Sequence, residues 1–213
     1  EPGDDPITLQ WNPAGVPDGR HMHLVRLDEQ DDPVPETFVE LREASRTNLE
    51  TEGRYRLGYS DRRTSRIDLA AGWSLISLPV EPDDETRRSG RALEDTAWAW
   101  KNVPGQPPRY ARCTRLAACT GYWIYGTNPH TVLVTGTEPA TTEQTLQPGW
   151  NLVGVSRTAP VPDHPDLLRN AWYWETPPGQ TGRYRRTALL VPGRGTWLYL
   201  RGTTAQTIPF PPR

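Results

Sequence analysis

Chemistry in a protein usually starts from histidine, cysteine or clustered carboxylates, and this chain of 213 residues holds only four histidines and two cysteines. His21 and His23 stand two apart in "HMHLV", which puts both imidazoles on one face of a strand and would supply two ligands to a metal. His130 and His164 lie in other parts of the chain, so no third or fourth ligand is evident and the pair reads as surface histidines. The acidic run Asp28, Glu29, Asp31, Asp32 and the pair Asp83, Asp84 offer clustered oxygens of the kind calcium takes. They lack the loop spacing with its glycine and closing glutamate, so they read as solvated turns. Cys113 and Cys119, in "CTRLAAC", fit no zinc-ligand pattern. They are either two reduced, half-buried thiols or, if they flank a tight bend between strands, a disulfide. The short spacing favours the disulfide, which would stabilise by about 2 kcal/mol and imply an oxidising compartment. No G-x-S-x-G elbow, H-E-x-x-H helix or phosphate-cradling glycine loop occurs. The expectation is a protein with no catalytic residues, no metal and no cofactor.

Binding chemistry is better represented. The chain has nine tryptophans and eight tyrosines, and "AWAWKNVPGQPPRY" (97–110) returns as "AWYWETPPGQTGRY" (171–184). Exposed rings could stack on sugar faces, and buried rings could fill a small core at 150–250 Å² of surface each, roughly. Trp73, Trp98, Trp100 and Trp123 recur as Trp150, Trp172, Trp174 and Trp197. Retention of all four in a duplication predicts that these eight are structural core. Tyr173 stands where the first copy has Ala99, so it is the candidate for a copy-specific, ligand-facing ring.

The elements that must position these residues read as strands. "AAGWSLISLPV" (70–80) matches "QPGWNLVGVSR" (147–157), and "LAACTGYWIYGT" (116–127) matches "LVPGRGTWLYLR" (190–201). Each copy is a set of short strands, with Trp98 and Trp100 two apart on one face and "PGQ" as a turn. One helical turn is expected near 92–95 and near 165–169. Residues 1–63 differ: "PITLQWNP", "HMHLVRLD", "ETFVELRE" and "GRYRLGYS" predict four strands of a small antiparallel sheet. The division is therefore 1–63, 64–139 and 140–213, in an all-β fold. The formal net charge of −2, with acids and bases interspersed, shows no basic stripe for nucleic acid. No run of about 18 apolar residues predicts a membrane span.

The GW(N/S)L(V/I) strand, the W-x-W strand, the R-Y after the turn and the G-x-W-(I/L)-Y strand together resemble a β-module found in tandem in large secreted or surface-exposed bacterial proteins. In those proteins the module often follows Ig-like or fibronectin type III-like domains. Residues 5–60, with "LQWNPAGVPDG", look like the latter half of such a domain, a partial Ig-like β-sandwich. The resemblance implies an extracellular or cell-surface location and a structural or adhesive role in a surface, surface-layer or appendage protein. The alternative is a carbohydrate-binding module of a secreted enzyme. The implied partners are proteins or glycans at the cell surface, or other copies of the chain.

Overall fold

Proline at 23 positions and glycine at 18 cut the chain into short extended runs, because proline donates nothing to a ladder and glycine supplies the turns. The computed structural model describes residues 7–50, 52–84, 86, 93, 96–177 and 179–212. Over these residues the protein is nearly all β, arranged in several antiparallel sheets.

Among the described residues, the stretch 7–60 forms two small sheets. Strand β1 (Ile7–Gln10) pairs with β4 (Arg46–Leu49), while β2 (His21–Leu27) lies between β3 (Val39–Glu40) and β5 (Arg54–Ser60). The stretch "ETFVELRE" yields only the two residues of β3, because Pro35 opens a 3-10 turn over Pro35–Thr37. The strand "RTNL" takes its place as a partner for β1. Val16, Leu24 and Leu41 fill the interior, with Trp11 packed beside them. The Trp11 indole N–H donates to the Leu41 carbonyl at 2.7 Å, so the ring's one polar atom is satisfied where it enters the core.

The first copy contains β6 (Arg63–Leu69), β7 (Gly72–Ser77), β8 (Glu81–Pro82), β9 (Ala97–Lys101), β10 (Arg109–Arg112), β11 (Gly121–Gly126) and β12 (His130–Thr137). One sheet runs β10-β9-β11-β7 and the other β6-β12-β8. The second copy contains β13 (Glu143–Leu146), β14 (Gly149–Val153), β15 (Ala159–Pro160), β16 (Ala171–Glu175), β17 (Arg183–Thr187), β18 (Leu189–Leu190), β19 (Thr196–Leu200) and β20 (Gln206–Pro209). Its four-stranded sheet runs β17-β16-β19-β14, the order of the first copy, beside the pairs β13-β20 and β15-β18. The turns into β7 and β14 are built alike. Gly72 and Gly149 take φ of 87° and 89°, a region glycine enters without steric cost. Ser74 Oγ and Asn151 Oδ1 then accept the amides of Ala70 and Gln147 at 3.0 and 2.9 Å. Residues 165–169 form a turn in which Leu167 N–H donates to His164 O at 3.0 Å, in place of the expected helix. Ala92 and Asp95 lie outside the described residues.

Between the two sheets of each copy the filling is aliphatic. Ile67, Ile76, Leu78, Ile124 and Val134 form the first interior, and Leu146, Val153, Val155, Leu198 and Ile208 the second. In "AWAW" it is the alanines that point inward, Ala97 and Ala99 being 0% and 2% exposed. Strand alternation then sends Trp98 and Trp100 to the outer face. The expectation that the eight tryptophans are structural core is corrected for Trp73, Trp98 and Trp150, which are exposed, while Trp197 is buried and Trp100, Trp123, Trp172 and Trp174 pack half-buried around it in a separate cluster outside the aliphatic interior of each copy.

One buried cation ties the three parts together. Arg63, at the start of β6, donates to Glu43 at 2.6 Å, to Glu138 at 3.1 Å and to the carbonyl of Ser156. Glu138 also pairs with Arg157 at 2.7 Å. Burial works against the Glu138 charge, yet the hydrogen bond and charge of Arg157, with the charge of Arg63, hold its carboxyl below the ordinary glutamate range.

Candidate functional site

The outer faces of the two four-stranded sheets meet each other through their rings. In each copy the register stacks the same set: Trp73 opposite Tyr125 and Trp100 opposite Tyr110, matched by Trp150 opposite Tyr199 and Trp174 opposite Tyr184. The centroids of those four pairs lie 5.3, 4.9, 5.1 and 5.1 Å apart, with planes 66° to 78° from parallel. Edge-to-face geometry of this kind sets the positive ring edge against the negative ring face.

Contacts between the copies obey a two-fold relation. The Trp100 indole N–H donates to the carbonyl of Trp150 at 2.8 Å, and the Trp174 indole N–H to the carbonyl of Trp73 at 3.1 Å. Trp100 meets Trp197 at 5.4 Å, and Trp174 meets Trp123 at 5.2 Å. The backbone repeats the exchange: Ser77 N–H donates to Gly193 O at 3.1 Å and Gly154 N–H to Cys119 O at 2.9 Å. Ser77 and Gly154 occupy matching positions and face each other, so close that a Cβ at Gly154 would fall 1.6 Å from Ser77 Oγ. The rotation axis passes between them. Leu75, Leu152 and Trp197 form a buried cluster on this axis, with Trp100, Trp123, Trp172 and Trp174 half-buried around it.

Beyond that cluster the rings reach solvent. Trp73, Trp98 and Trp150 are 44%, 36% and 40% exposed, and of the eight only Trp197 is buried. Two apolar troughs open between them. One, of about 590 Å³, lies among Trp100, Trp150, Trp172 and Trp197. The other, of about 490 Å³, lies among Trp73, Trp98, Trp123 and Trp174. Tyr110 and Tyr184 line both, so the troughs join into one groove crossed by the two-fold axis. Burial and the neighbouring Tyr110 push the Tyr184 phenol up.

The other candidates lie apart from this groove. Tyr173 belongs to the opposite face of β16, half-buried, with the Arg194 guanidinium 3.8 Å above its ring; it is a capped ring and does not face the groove. Cys113 and Cys119 are both free, which corrects the expected disulfide. They do not flank a hairpin. The Cys113 amide bonds to Ala97 O on β9, whereas the Cys119 amide bonds to Leu78 O after β7. Cys113 follows β10 and Cys119 precedes β11, and those two strands lie on opposite sides of β9. The Cys113 thiol donates to Arg115 O at 2.8 Å, and burial pushes the Cys119 thiol up to about 11. His23 lies opposite Glu40 on the first sheet. Among the described residues no three histidine, cysteine or carboxylate side chains gather as metal ligands.

Sequence reasoning missed the tyrosines as site residues. Strand alternation from Trp123 points to Tyr125, and the register across the "PGQ" turn sets Tyr110 opposite Trp100. That the alanines of "AWAW" would take the inner face was the signal to follow. Comparison with protein-family models, with curated proteins and with solved structures gave no match.

Proposed function

We propose that the chain is a non-catalytic adhesive module of a bacterial surface, surface-layer or appendage protein, and that the double aromatic groove is the face with which it holds its target. The observation that carries this reading is the exposure of large rings at the same positions of both copies. Contiguous exposed apolar surface on a soluble domain marks an interaction site, and a groove of a few hundred Å³ per lobe has the size of a ligand site. The cell-surface location, and the reading of residues 1–63 as part of an Ig-like domain, rest on the motif resemblance; the free cysteines take away the argument from a disulfide. A carbohydrate-binding module of a secreted enzyme is the second reading, favoured by the same exposed indoles.

The test is the double variant Trp98→Ala with Trp150→Ala, one exposed ring from each lobe. It should lose binding on a glycan array and adhesion to bacterial envelope or matrix preparations, with the β circular-dichroism spectrum unchanged. Retention of all binding by that variant defeats the reading.

A further inference from the structure

Each residue that lines one trough has its mate in the other, Trp98 answering Trp172 and Trp73 answering Trp150. Together the linings are eight tryptophans and two tyrosines, and among the described residues no charged side chain contributes. Arg112 and Arg186 stand opposite Trp98 and Trp172 in their ladders but line neither trough. A charged ligand stripped of water on these rings would find no counter-charge in the lining. On the floor the indole donors are already used: Trp100 and Trp174 donate to carbonyls of the other copy, and Trp123 to the Tyr110 hydroxyl at 3.3 Å. The outer rings Trp73, Trp98 and Trp150 stay 36% to 44% exposed, so the troughs cover a ligand from one side only. The half-turn between the copies adds a further condition, because a chain laid through both lobes is met by them in opposite directions.

We infer that the groove takes a neutral, extended β-linked glycan built of all-equatorial pyranoses, a β-1,4-glucan in its simplest form, with its sugar faces on the indoles of both lobes. This rests on the groove being the contact surface and names what that surface holds. An all-equatorial pyranose carries C–H bonds on both faces and hydroxyls around its rim. The C–H hydrogens meet the negative ring faces of the indoles, and the rim hydroxyls stay in water, as a one-sided trough requires. Successive residues of a β-1,4 chain turn over, so both faces come down on the rings in alternation, and both are apolar. Stacking of this kind ignores chain direction, so the two lobes hold the chain alike. A hydrocarbon chain would leave its far side bare to water. A proline-rich segment suits aromatic grooves, but its carbonyls have no partner within their own helix and find the floor donors spent. A uronic-acid chain brings carboxylates to a lining that offers them no cation.

Calorimetric titration of the whole chain tests the inference with a β-1,4-linked glucose trimer and hexamer, the hexamers of β-1,4-linked mannose and of β-1,4-linked glucuronic acid, and a decaproline peptide. The glucose trimer should bind twice per chain with one affinity, once in each lobe. The glucose hexamer should bind once and at least about tenfold tighter, because it spans both lobes, and salt should leave it unchanged. The mannose hexamer, whose axial hydroxyl spoils one face of each ring, and the glucuronate hexamer should bind more weakly. Trp98→Ala should leave one trimer site, and Trp98→Ala with Trp150→Ala should leave none, while Trp98→Phe with Trp150→Phe should keep both at lower affinity. Mannose or glucuronate binding as tight as that of glucose overturns the neutral, all-equatorial ligand, and preference for decaproline overturns the glycan; either result, if lost with the tryptophans, leaves the groove as the contact surface. A single trimer site in the wild type overturns the chain held alike by two lobes. Glucose-hexamer binding that survives loss of both tryptophans overturns the groove itself. Failure of every probe to bind overturns the inference, and the adhesion test above still decides the groove.

Discussion

The two copies differ most where a fold is usually thought to be most demanding and agree where it is usually thought to be free. Inside the sheets, Ile76, Leu78, Ile124 and Val134 of the first copy become Val153, Val155, Leu198 and Ile208 in the second. On the outer faces, the four tryptophans, Tyr110 and Tyr184, Tyr125 and Tyr199, Leu75 and Leu152, and Gly121 and Gly195 are the same in both. Aliphatic interiors accept exchanges of similar volume at small cost. The outer face has less freedom, because Trp100, Trp123, Trp174 and Trp197 meet across the axis and a change in one copy removes contacts from both. Gly121 and Gly195 follow the same logic: a Cβ at either would fall within 3.0 Å of Leu152 or of Leu75 and the Ile76 carbonyl.

The comparison breaks first at Trp197 and Trp123, which hold the same position with unequal burial. Trp197→Ala should cost about 3–5 kcal/mol, as for a buried ring, and Trp123→Ala clearly less, measured by urea unfolding; equal losses mean that the unequal burial of the two rings carries no weight in stability. A second break lies at the axis. Gly154→Ala forces a methyl into Ser77 and should cost about 1–3 kcal/mol, whereas Gly154→Ala made together with Ser77→Gly should recover most of the melting temperature.

The first segment supplies a control that the copies cannot. Burial, helped by Glu43, pushes the Glu40 carboxyl up to about 7. Between the ordinary glutamate value and 7 the folded state holds a proton that the unfolded state has released, so stability falls as pH rises through that interval. Glu40→Gln should flatten that slope and raise stability at pH 8, by up to about 3 kcal/mol, without altering the groove. The smallest effect is expected at Tyr173: removal of its contact with Arg194 by Tyr173→Ala should cost about 1 kcal/mol and leave binding at the groove unchanged.

Much of the architecture was legible because short-range signals carry it. Strand alternation, glycine and proline punctuation and the duplicated motifs point to an all-β chain, and the strands at 72–77, 97–101 and 121–126 follow from local pattern alone. What stayed hidden was the direction of the faces. "AWAW" alternates two residue types that can both be buried, and hydrophobicity alone favours the larger for the interior. The choice depends on how closely the two sheets approach, which the aliphatic residues of other strands decide. The cysteines misled for a related reason: seven residues look like a hairpin until β9 is known to pass between the strands they join. The two-fold relation between copies is a property of long-range contacts, and no local spacing encodes it.

That relation also governs how such modules can be counted. A rotation by half a turn closes on itself, so the face that one copy offers is used up by its partner and no third copy can be added to the same contact. Successive modules of this kind would therefore come as couples, like beads each made of two halves, and not as a filament that lengthens by single units. An unpaired copy would leave Leu75 or Leu152 and four indoles bare, and would be driven to find another such copy. Parity, more than length, is the quantity this architecture constrains.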